Sequence, residues 1–575
     1  MKKRGLIKVR VTGYRLLVTG VIGLIGLIGS IGKAYALPAK PGPVVVTEAD
    51  GTEHTVYLHG DEFFHYMTAA DGRWLEMQEG KLHQVQGLTD EEVAERREAE
   101  RTRRIPKRVI AATQQAQPLN IAPRGLIILA AFSDREFRAA NTLEAFRDMF
   151  DGENYSFNGA TGSARKYFED QSFGAYKPVF DVVGPVTVSN TQSYYGENDR
   201  SGSDKHPDEL IIEACQIADT AFNVDFSIYD NNNDGFVDFV YVIYAGRGEA
   251  DGGGSNTIWP HTSWIHQAYG KNVYVDGKRL DTYACSSELQ SSAGYLTRDG
   301  IGAFCHEFGH ALGLPDHYAT NYSTVKQTGD WDLMCHGSYN NASNTPAGYT
   351  AYERFFVGWI TPTILNTATT VDSMKPLNTS GEAYIITETG ESNLVGNNPD
   401  PVLFYMLENR QKTGWDGYVP GRGLLITRVH YNYQKWVQNI VNNSATARGY
   451  EIIEADGKEP ERYEEGWEGK QGDVFPYGDV NSFTPFEGYP ITGIQQNEGG
   501  TIRFHFMGGN DYPSFVVKET AAEKYGADYN EVVAVYDIMG RLVTTDTQLN
   551  KLPQGIYIVA VSNGTKQKGV KLAIR

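Results

Sequence analysis

The chain has 575 residues, too many for one hydrophobic core, so several folded units are expected. Its hydrophobic fraction of 41%, charged fraction of 21% and mean hydropathy of −0.41 are typical of globular proteins and exclude a multi-span membrane protein. The 71 acidic and 52 basic side chains give a formal net charge of −19, so the surface repels phosphate backbones and nucleic acid is not an expected partner.

Residues 1–36 have the pattern of a secretory signal peptide. A segment rich in Lys and Arg precedes an uncharged run over 16–32, and the small residues Ala34 and Ala36 follow at the positions that signal peptidase reads. An uncleaved membrane anchor is the alternative, but the run falls short of the ~20 residues of a spanning helix and its repeated glycines disfavour a helix. We therefore expect an exported protein whose mature chain begins near Leu37 and keeps no stable membrane span.

Residues 37–115 are expected to form a β-rich prosegment that is removed. Strand-like runs at 44–46 and 56–58 alternate with turns, and residues 90–104 form a densely charged stretch with a helical pattern and almost no apolar face. Such a stretch is usually a solvated helix or a linker. Here it precedes a strongly apolar strand at 125–129, and a protease would find an accessible site between the two.

Residues 116–365 mix helices with strands, whereas residues 366–508 consist of short alternating strands and turns. In the first region we predict helices over 165–171 and 208–222 and a buried strand over 236–245. The second region has the texture of a β-sandwich. The expected fold class is therefore multidomain α+β.

A loop at the start of the predicted strand has the oxygen-rich spacing of a calcium site. Side-chain oxygens stand at positions 1, 3, 5 and 9 around the turn glycine Gly235, with a main-chain carbonyl as a further ligand. The candidate calcium ligands are Asp230, Asn232, Asp234, Phe236 through its carbonyl, and Asp238. Position 12 is Tyr241 rather than Glu, so the match to an EF-hand loop is partial, and a turn without an ion is the alternative.

The stretch from His306 to His310 reads His-Glu-Phe-Gly-His and is the most informative in the chain. Residues four apart share one face of a helix, so both imidazoles can reach one zinc ion. Glu307 lies beside them, where its carboxylate can take a proton from water. Chance occurrence of this motif in such a length is on the order of one in a hundred. A surface helix that carries two histidines is the alternative.

The residues after this motif can supply a third zinc ligand. Gly313 can adopt the left-handed conformation that ends a helix, and Pro315 prevents the helix from resuming. The chain must turn sharply, which can bring Asp316 back to the metal. His317 competes for this role, although we favour Asp316 because of its spacing from His306. Three protein ligands would leave zinc one position for a water molecule, which could attack a carbonyl group.

The oxyanion that forms in such an attack needs a second hydrogen-bond donor. Tyr339 and Tyr318 are the candidates, and we select Tyr339 as the catalytic residue beside Glu307. Either tyrosine could instead be a packed aromatic residue.

This region resembles the metzincin clan, and specifically the immune-inhibitor-A family of secreted zinc peptidases. Metzincins carry the pattern H-E-x-x-H-x-x-G-x-x-H/D, which is matched by His306, Glu307, His310, Gly313 and Asp316. They add a methionine in a tight turn below the zinc, and the stretch 331–338 with Met334 is similar to that turn. The resemblance spans most of residues 40–507. It implies a zincin-like catalytic domain over 116–365, a zinc cofactor, and protein or peptide substrates.

Residues 509–575 have the pattern of a small C-terminal sheet. Apolar residues alternate over 532–536 and 569–574, and segments 537–541 and 552–557 read D-x-x-G-R and L-x-x-G-I-Y. These two pieces resemble the C-terminal sorting domain of type IX secretion cargo. The resemblance implies a secreted or cell-surface protein that crosses a second membrane with the type IX machinery as a partner. A plain β-sandwich appendage is the alternative.

The four cysteines, Cys215, Cys285, Cys305 and Cys335, all lie in the presumed catalytic region. Export would permit two disulfides, but one sequence does not pair them. Residues 37–115 contain no cysteine, so a thiolate from that segment cannot block the zinc. Latency would then need an acidic or histidine side chain there, such as Asp61 or His65.

The leading hypothesis is a secreted zinc metalloendopeptidase made as a zymogen. The alternative is a cell-surface adhesin or binding protein that retains a zincin scaffold and binds polymers through residues 366–508. Glu307 favours the peptidase, because a binding protein has no use for a base between two metal ligands. A hydrolase of a non-peptide bond is a third hypothesis, since the motif specifies the metal chemistry more firmly than the substrate.

Overall fold

The structure is a computed structural model of the chain. It describes residues 35–61, 63–78, 80–104, 123–199, 202–292, 295–321, 326–460, 466–509, 531–537, 542–544, 555–562 and 567–574. The predicted signal peptide lies almost entirely outside these residues, as do the rest of the predicted prosegment after residue 104 and most of the D-x-x-G-R segment. The described chain contains both helices and several sheets, which agrees with the expected α+β class in its mixture of the two.

The first unit, residues 37–104, is called the N-terminal unit below. Five antiparallel strands pair in chain order, and a helix follows them. Val44, Val46 and Val56 are buried on one face of this sheet. The elements are β1 (Tyr35–Ala36), which pairs elsewhere, β2 (Pro43–Thr47), β3 (Glu53–Gly60), β4 (His65–Thr68), β5 (Trp74–Gln78), β6 (Lys81–Gln84) and α1 (Asp90–Arg104).

The charged helix α1 is anchored to the sheet and is not simply solvated. A capping box between Thr89 and Glu92 starts it, with Thr89 N donating to Glu92 Oε2 at 2.8 Å and Glu92 N donating to Thr89 Oγ1 at 3.2 Å. One turn later, Arg97 donates from Nε and Nη2 to Asp61 Oδ2 at 2.8 and 2.6 Å, and both side chains are buried. The helix is thus attached to the sheet through a buried arginine, which the absence of an apolar face in the sequence does not reveal.

The central unit is a mixed seven-stranded sheet in the order β1-β10-β13-β9-β7-β8, with β14 paired to β13. Strands β8, β7, β9 and β13 run parallel, β10 is antiparallel to β13, and β1 adds antiparallel to the outer edge of β10. The strands are β7 (Arg124–Ala131), β8 (Val179–Thr187), β9 (Val240–Arg247), β10 (His261–Trp264), β13 (Thr282–Ser292) and β14 (Tyr295–Arg298), beside a small hairpin of β11 (Val273–Val275) and β12 (Lys278–Leu280).

Helices cover both faces of this sheet, which explains why β7 is buried along nearly its whole length. One face packs on α5 through residues such as Leu210 and Ile211, and the other packs on α2, α3 and α7 through Phe150, Phe168 and Phe304. The helices are α2 (Leu143–Asp151), α3 (Ala164–Gln171), α4 (Gln192–Gly196), α5 (Pro207–Phe222), α6 (Ile265–Tyr269), α7 (Gly302–Ala311) and α8 (Ala351–Phe356).

The predicted helices near 165–171 and 208–222 are confirmed by α3 and α5. The predicted strand over 236–245 starts later, at Val240. Residues 236–239 belong to the preceding loop instead, where Phe236 forms an isolated bridge with Arg279.

The downstream unit consists of two sheets that share a core. The orders are β15-β17-β18-β19-β20 and β16-β22-β21, and residues such as Leu407 and Phe504 from the two sheets meet in one cluster. The elements are β15 (Thr363–Ile364), β16 (Thr369–Met374), α9 (Leu377–Ser380), β17 (Ala383–Thr387), β18 (Leu403–Arg410), β19 (Gly423–His430), α10 (Tyr433–Val437), β20 (Tyr450–Ile452), β21 (Ile491–Gln496) and β22 (Ile502–Phe506).

The larger of these sheets also packs against the central unit. Ile385 and Met406 alternate with the core residues Ile386 and Leu407 and join the cluster around α7. The two units therefore share a continuous apolar core.

The C-terminal residues form a four-stranded antiparallel sheet in the order β24-β23-β25-β26. Its strands are β23 (Glu531–Asp537), β24 (Leu542–Thr544), β25 (Gly555–Ser562) and β26 (Gln567–Ile574). No helix among the described residues is long and apolar enough to cross a membrane.

Candidate metal centre and its cleft

Helix α7 presents His306 and His310 on one face, and the chain reverses after it. The helix is capped at Leu312, and Gly313 adopts a φ of +93°, which an L side chain rarely tolerates. The peptide chain then returns through Pro315 so that Asp316 faces the two histidines. All three side chains are buried.

The three side chains converge on one point. His306 Nε2 lies 3.2 Å from His310 Nε2, and Asp316 Oδ1 lies 3.2 and 3.4 Å from those two nitrogens. Ligand atoms about 2.0–2.2 Å from a tetrahedral zinc ion lie roughly 3.3–3.6 Å from one another. The observed separations therefore fit a shared zinc ion.

Main-chain carbonyls orient both imidazoles. His306 Nδ1 lies 2.8 Å from Leu333 O, and His310 Nδ1 lies 2.9 Å from Leu314 O. A carbonyl oxygen only accepts, so each Nδ1 carries a proton, and each Nε2 faces the common point, where it can bind a metal ion once it carries no proton. Burial alone would raise the pKa of Asp316, but the two imidazoles lower it well below its usual range, so the carboxylate is charged.

Asn439, from the downstream unit, holds the third member of this group. Its side-chain amide donates to Asp316 Oδ2, and its Oδ1 accepts from Asp316 N at 2.7 Å. No sequence signal marks this asparagine, because its partner lies far away in the chain.

His317, the alternative third ligand, belongs to a second buried cluster. Its Nδ1 lies 2.7 Å from Asp332 Oδ2, and Glu353 completes the group. A separation of 2.7 Å is that of a hydrogen bond and is short for two ligands of one zinc ion. Burial, together with the charge of Asp332, raises the pKa of Glu353 well above its usual range. The sequence analysis did not identify Asp332 or Glu353.

Met334 lies directly beneath the histidine helix. A Cβ added at Gly309, between the two histidines, would meet Met334 Sδ at 2.6 Å, and Met334 is fully buried. Glycine at this position thus lets the helix approach the turn that carries the methionine.

Glu307 lies next to the three converging side chains, and each of its carboxylate oxygens accepts a hydrogen bond. Thr262 of β10 donates from Oγ1 to Glu307 Oε2 at 2.5 Å, and Leu37 N donates to Glu307 Oε1 at 3.1 Å. Burial raises the pKa of the Glu307 carboxyl to about 8, against the opposing effects of His306 and Thr262.

Residues 35–39, called the covering segment below, lie across this site. Tyr35 and Ala36 pair antiparallel with β10, and the main-chain carbonyls of the next two residues are bound. Trp259 Nε1 donates to Leu37 O at 3.1 Å, and Tyr339 OH donates to Pro38 O at 2.8 Å. The segment therefore lies along an edge strand in the manner of a peptide added to a sheet.

The predicted latency residues do not contact the converging group. Asp61 is paired with Arg97, and His65 Nε2 lies 2.9 Å from Glu249 Oε1. The contact with Glu307 comes instead from the main chain of Leu37, which side-chain reasoning does not detect. Tyr318 is buried and lines a cavity of about 80 Å³ that Pro38 and Ala39 of the covering segment also line.

The predicted calcium loop carries its own internal bonds. Asp230 accepts from the amides of Asp234 and Gly235 at 3.0 Å each, and Lys278 Nζ donates to Asp230 Oδ2 at 2.7 Å. Asp238 accepts from Asn231 N at 2.7 Å. Among the described residues, two groups bring ligand atoms of three His, Cys, Asp or Glu side chains within 4.8 Å of one another, and this loop is in neither, so calcium stays a prediction.

The four cysteines are all buried as free thiols. Burial raises the pKa of Cys215, Cys285, Cys305 and Cys335 above the usual thiol value, which opposes a thiolate nucleophile.

The region that contains the three converging side chains is similar in sequence to known proteins. Residues 132–359 match the family described as "Immune inhibitor A peptidase M6, catalytic domain". The chain is 29% identical over 222 residues to immune inhibitor A of Bacillus thuringiensis subsp. alesti, a match over 33% of this chain and 31% of that protein. It is 27% identical over 250 residues to pre-pro-metalloprotease PrtV of Vibrio cholerae serotype O1 (strain M66-2), over 39% of this chain and 25% of that protein. The chain thus spans less than a third of the length of these curated relatives, and the matches support the peptidase M6 family for the region that contains α7.

Proposed function

We propose that the protein is a zinc-dependent metalloendopeptidase made as a zymogen. The observation that carries the proposal is the convergence of His306, His310 and Asp316, with Glu307 beside them on the same helix. Two imidazoles and a carboxylate are a donor set that suits catalytic zinc. The likeness of residues 132–359 to a peptidase catalytic domain supports a peptide bond as the target.

Zinc held by these three side chains would polarise a peptide carbonyl and acidify a water molecule. Glu307 is the base that accepts the proton of that water and passes it to the leaving amine. The Thr262 hydroxyl fixes one carboxylate oxygen and leaves the other for proton transfer. Met334 supports the helix from below.

Tyr339 contributes a hydroxyl on the same side of the site. In the structure the Tyr339 hydroxyl donates to the main-chain carbonyl of Pro38. The preceding residue, Leu37, donates from its main-chain nitrogen to Glu307. We assign Tyr339 to binding the substrate main chain, and its role as an oxyanion donor stays a prediction.

Residues 37 and 38 of the covering segment, which removal of the predicted signal peptide would leave in the chain, support latency. Leu37 N donates a hydrogen bond to a carboxylate oxygen of Glu307. The carbonyls of Leu37 and Pro38 accept hydrogen bonds from the Trp259 indole and the Tyr339 hydroxyl. A substrate cannot reach those groups while the segment is in place. The N-terminal unit is then the prosegment, which must leave or be displaced before proteolysis begins.

The proposal also includes export of the protein from the cell. The signal-peptide pattern over residues 1–36 and the resemblance of residues 509–575 to type IX sorting domains support secretion to the cell surface or beyond. Deleting residues 531–575 should then prevent release of the protein from the cell. Replacing its signal peptide with that of another exported protein should not restore release of the shortened chain.

A calcium ion at residues 230–238 is a secondary proposal, supported by oxygen spacing alone. It would have to displace the Lys278 ammonium from Asp230. If chelator-treated protein regains its full thermal stability with zinc alone, the calcium proposal is wrong.

The decisive experiment incubates the purified protein with casein, with and without a zinc chelator. We expect chelator-sensitive cleavage, restored by zinc, and new N-termini from self-processing. Glu307→Ala should retain its fold and its zinc but lose cleavage. Unchanged turnover in that variant would discard the mechanism, and an adhesin on a zincin scaffold would remain the alternative.

A further inference from the structure

Trp259 lies between the N-terminal unit and the candidate active site. Its ring clusters with Ala39 and Leu58 of the N-terminal unit and with Ala250 of the central unit. The imidazole of His65 stacks on it, with ring centroids 4.4 Å apart and planes inclined by 22°. The N-terminal unit therefore supplies part of the cover of this tryptophan, which is 2% exposed. Removing that unit uncovers an aromatic surface beside Glu307.

A buried carboxylate and an amide stand at the edge of the same surface. Glu249 Oε1 lies 2.9 Å from His65 Nε2 and accepts from Asn198 Nδ2 at 2.9 Å. Glu249 is 7% exposed, and its second oxygen, Oε2, has no hydrogen-bond partner among the described residues. A buried carboxylate with one unused oxygen is costly unless a cation is present.

His65 satisfies this demand as an imidazolium. Its Nδ1 lies 3.1 Å from the main-chain oxygen of Asp61, and its Nε2 lies 2.9 Å from Glu249 Oε1 and 3.2 Å from Asn198 Nδ2. A carbonyl and a carboxylate only accept, so a proton on each ring nitrogen serves both of these oxygens. The charged groups around it are Glu249 and Asp204 of the central unit and Asp61 on its own side, whose carboxylate is paired with Arg97. The site thus holds a planar cation against an indole ring.

We propose that Trp259, Glu249 and Asn198 form a substrate subsite for a basic side chain, and that His65 fills it while the N-terminal unit is attached. This inference rests on the proposed function. A guanidinium can stack on the indole as the imidazole does, and it can engage both oxygens of Glu249, which His65 cannot. The preferred substrate therefore carries arginine, or less favourably lysine.

The register of the covering segment locates the subsite along a substrate. Leu37 N faces Glu307, the residue that protonates the leaving amine, and Trp259 binds the carbonyl of that same Leu37. The subsite accordingly receives a side chain a few residues after the cleaved bond.

The test compares peptides that differ only by Arg or Gln at each of the four positions after the cleaved bond, using active enzyme produced from the full chain. We expect kcat/KM to be about tenfold higher for Arg at one of these positions. Glu249→Gln should abolish that ratio, whereas Glu144→Gln, an exposed glutamate on α2, should preserve it. A ratio near one in the wild type, or a ratio that survives Glu249→Gln, would overturn the proposal.

A second measurement needs no peptidase activity, so it separates failure of the subsite from failure of the proposed function. In the full-length chain, His65→Arg should keep the N-terminal unit as resistant to chymotrypsin as in the wild type, and His65→Glu should make it sensitive. Combining His65→Glu with Glu249→Lys should restore resistance. Equal sensitivity of the Arg and Glu variants, with native circular dichroism, would show that the pocket does not select a cation.

Discussion

Asn439 and Asp316 exchange two hydrogen bonds between units that lie far apart in the chain. The asparagine donates to the carboxylate that faces the two imidazoles and accepts from the amide of the same aspartate. Asn442, three residues later, donates to His317 O at 2.7 Å. The loop that carries Asn439 and Asn442 therefore forms hydrogen bonds with two consecutive residues, Asp316 and His317. The candidate metal centre therefore depends on residues that would be assigned to a separate β domain.

The first prediction concerns Asn439. It adopts a φ of 53°, so glycine removes the side chain without adding backbone strain. Asn439→Gly should weaken zinc binding about 10- to 100-fold, because an unsupported carboxylate no longer holds its orientation. Competition with a fluorescent zinc chelator measures this. Asn223→Gly, at the end of α5 and also with a φ of 53°, is the matched control, and an unchanged zinc affinity in Asn439→Gly would contradict the role.

Local pattern was sufficient to predict much of the central unit. The spacing of His306, His310 and Asp316 follows from one helix and one forced turn, both of which are encoded within eleven residues. Neither Asn439 nor Leu37 could be found in this way. Each meets the site through tertiary packing, and Leu37 does so through its main chain, which every residue type shares.

The same limit applies to α1 and to the downstream sheets. The helix was predicted from charge, but its buried Arg97 depends on Asp61 in another part of the unit. The downstream strands were predicted from alternation. Alternation cannot show that both faces of that sheet are buried, one by Leu407 and its neighbours and the other by Met406 against the central unit.

The second prediction distinguishes two roles for Tyr339. If its hydroxyl binds the substrate main chain as it binds Pro38 O, Tyr339→Phe should raise KM up to about tenfold with little change in kcat, since one neutral hydrogen bond contributes about 0.5–1.5 kcal/mol. Loss of an oxyanion donor would instead lower kcat by about 10²–10³. Steady-state kinetics on one peptide decide between them, and Tyr274→Phe, an exposed tyrosine, serves as the control.

The third prediction is a pH dependence of the attachment of the N-terminal unit. Burial alone would lower the pKa of His65, but the charge of Glu249, with help from Asp204, raises it above the usual value of 6.5. A raised pKa in the attached state means that protonation favours attachment. This stabilisation is fully present below about pH 6.5 and is lost as the pH rises through the raised pKa.

We therefore expect the N-terminal unit to become sensitive to trypsin faster as the pH rises above neutrality. Measurements at several pH values within trypsin's working range, corrected for trypsin activity on an unstructured peptide, provide the rate. His65→Gln should flatten the profile. A profile that keeps its slope in that variant would assign the effect to another group.

The fourth prediction uses the buried pair of Arg97 and Asp61, which ties α1 to the sheet of the N-terminal unit. Both side chains are nearly inaccessible, and the Asp61 carboxylate also accepts from the amides of Phe63 and Phe64 at 2.9 and 3.3 Å. Arg97→Leu leaves that carboxylate buried without its cation, which should destabilise the unit by about 3–5 kcal/mol. The loosened unit should release the covering segment, so cleavage of casein should begin without a lag.

The double variant Arg97→Leu, Asp61→Asn tests the physical reason. It removes the buried charge and keeps an oxygen for the two amides, so it should recover part of the stability and part of the lag. Urea unfolding monitored by limited proteolysis gives the first quantity, and a casein time course gives the second. If Arg97→Leu is destabilised but activates no earlier than the wild type, then α1 is not coupled to the covering segment, and latency depends on Leu37, Trp259 and Tyr339 alone.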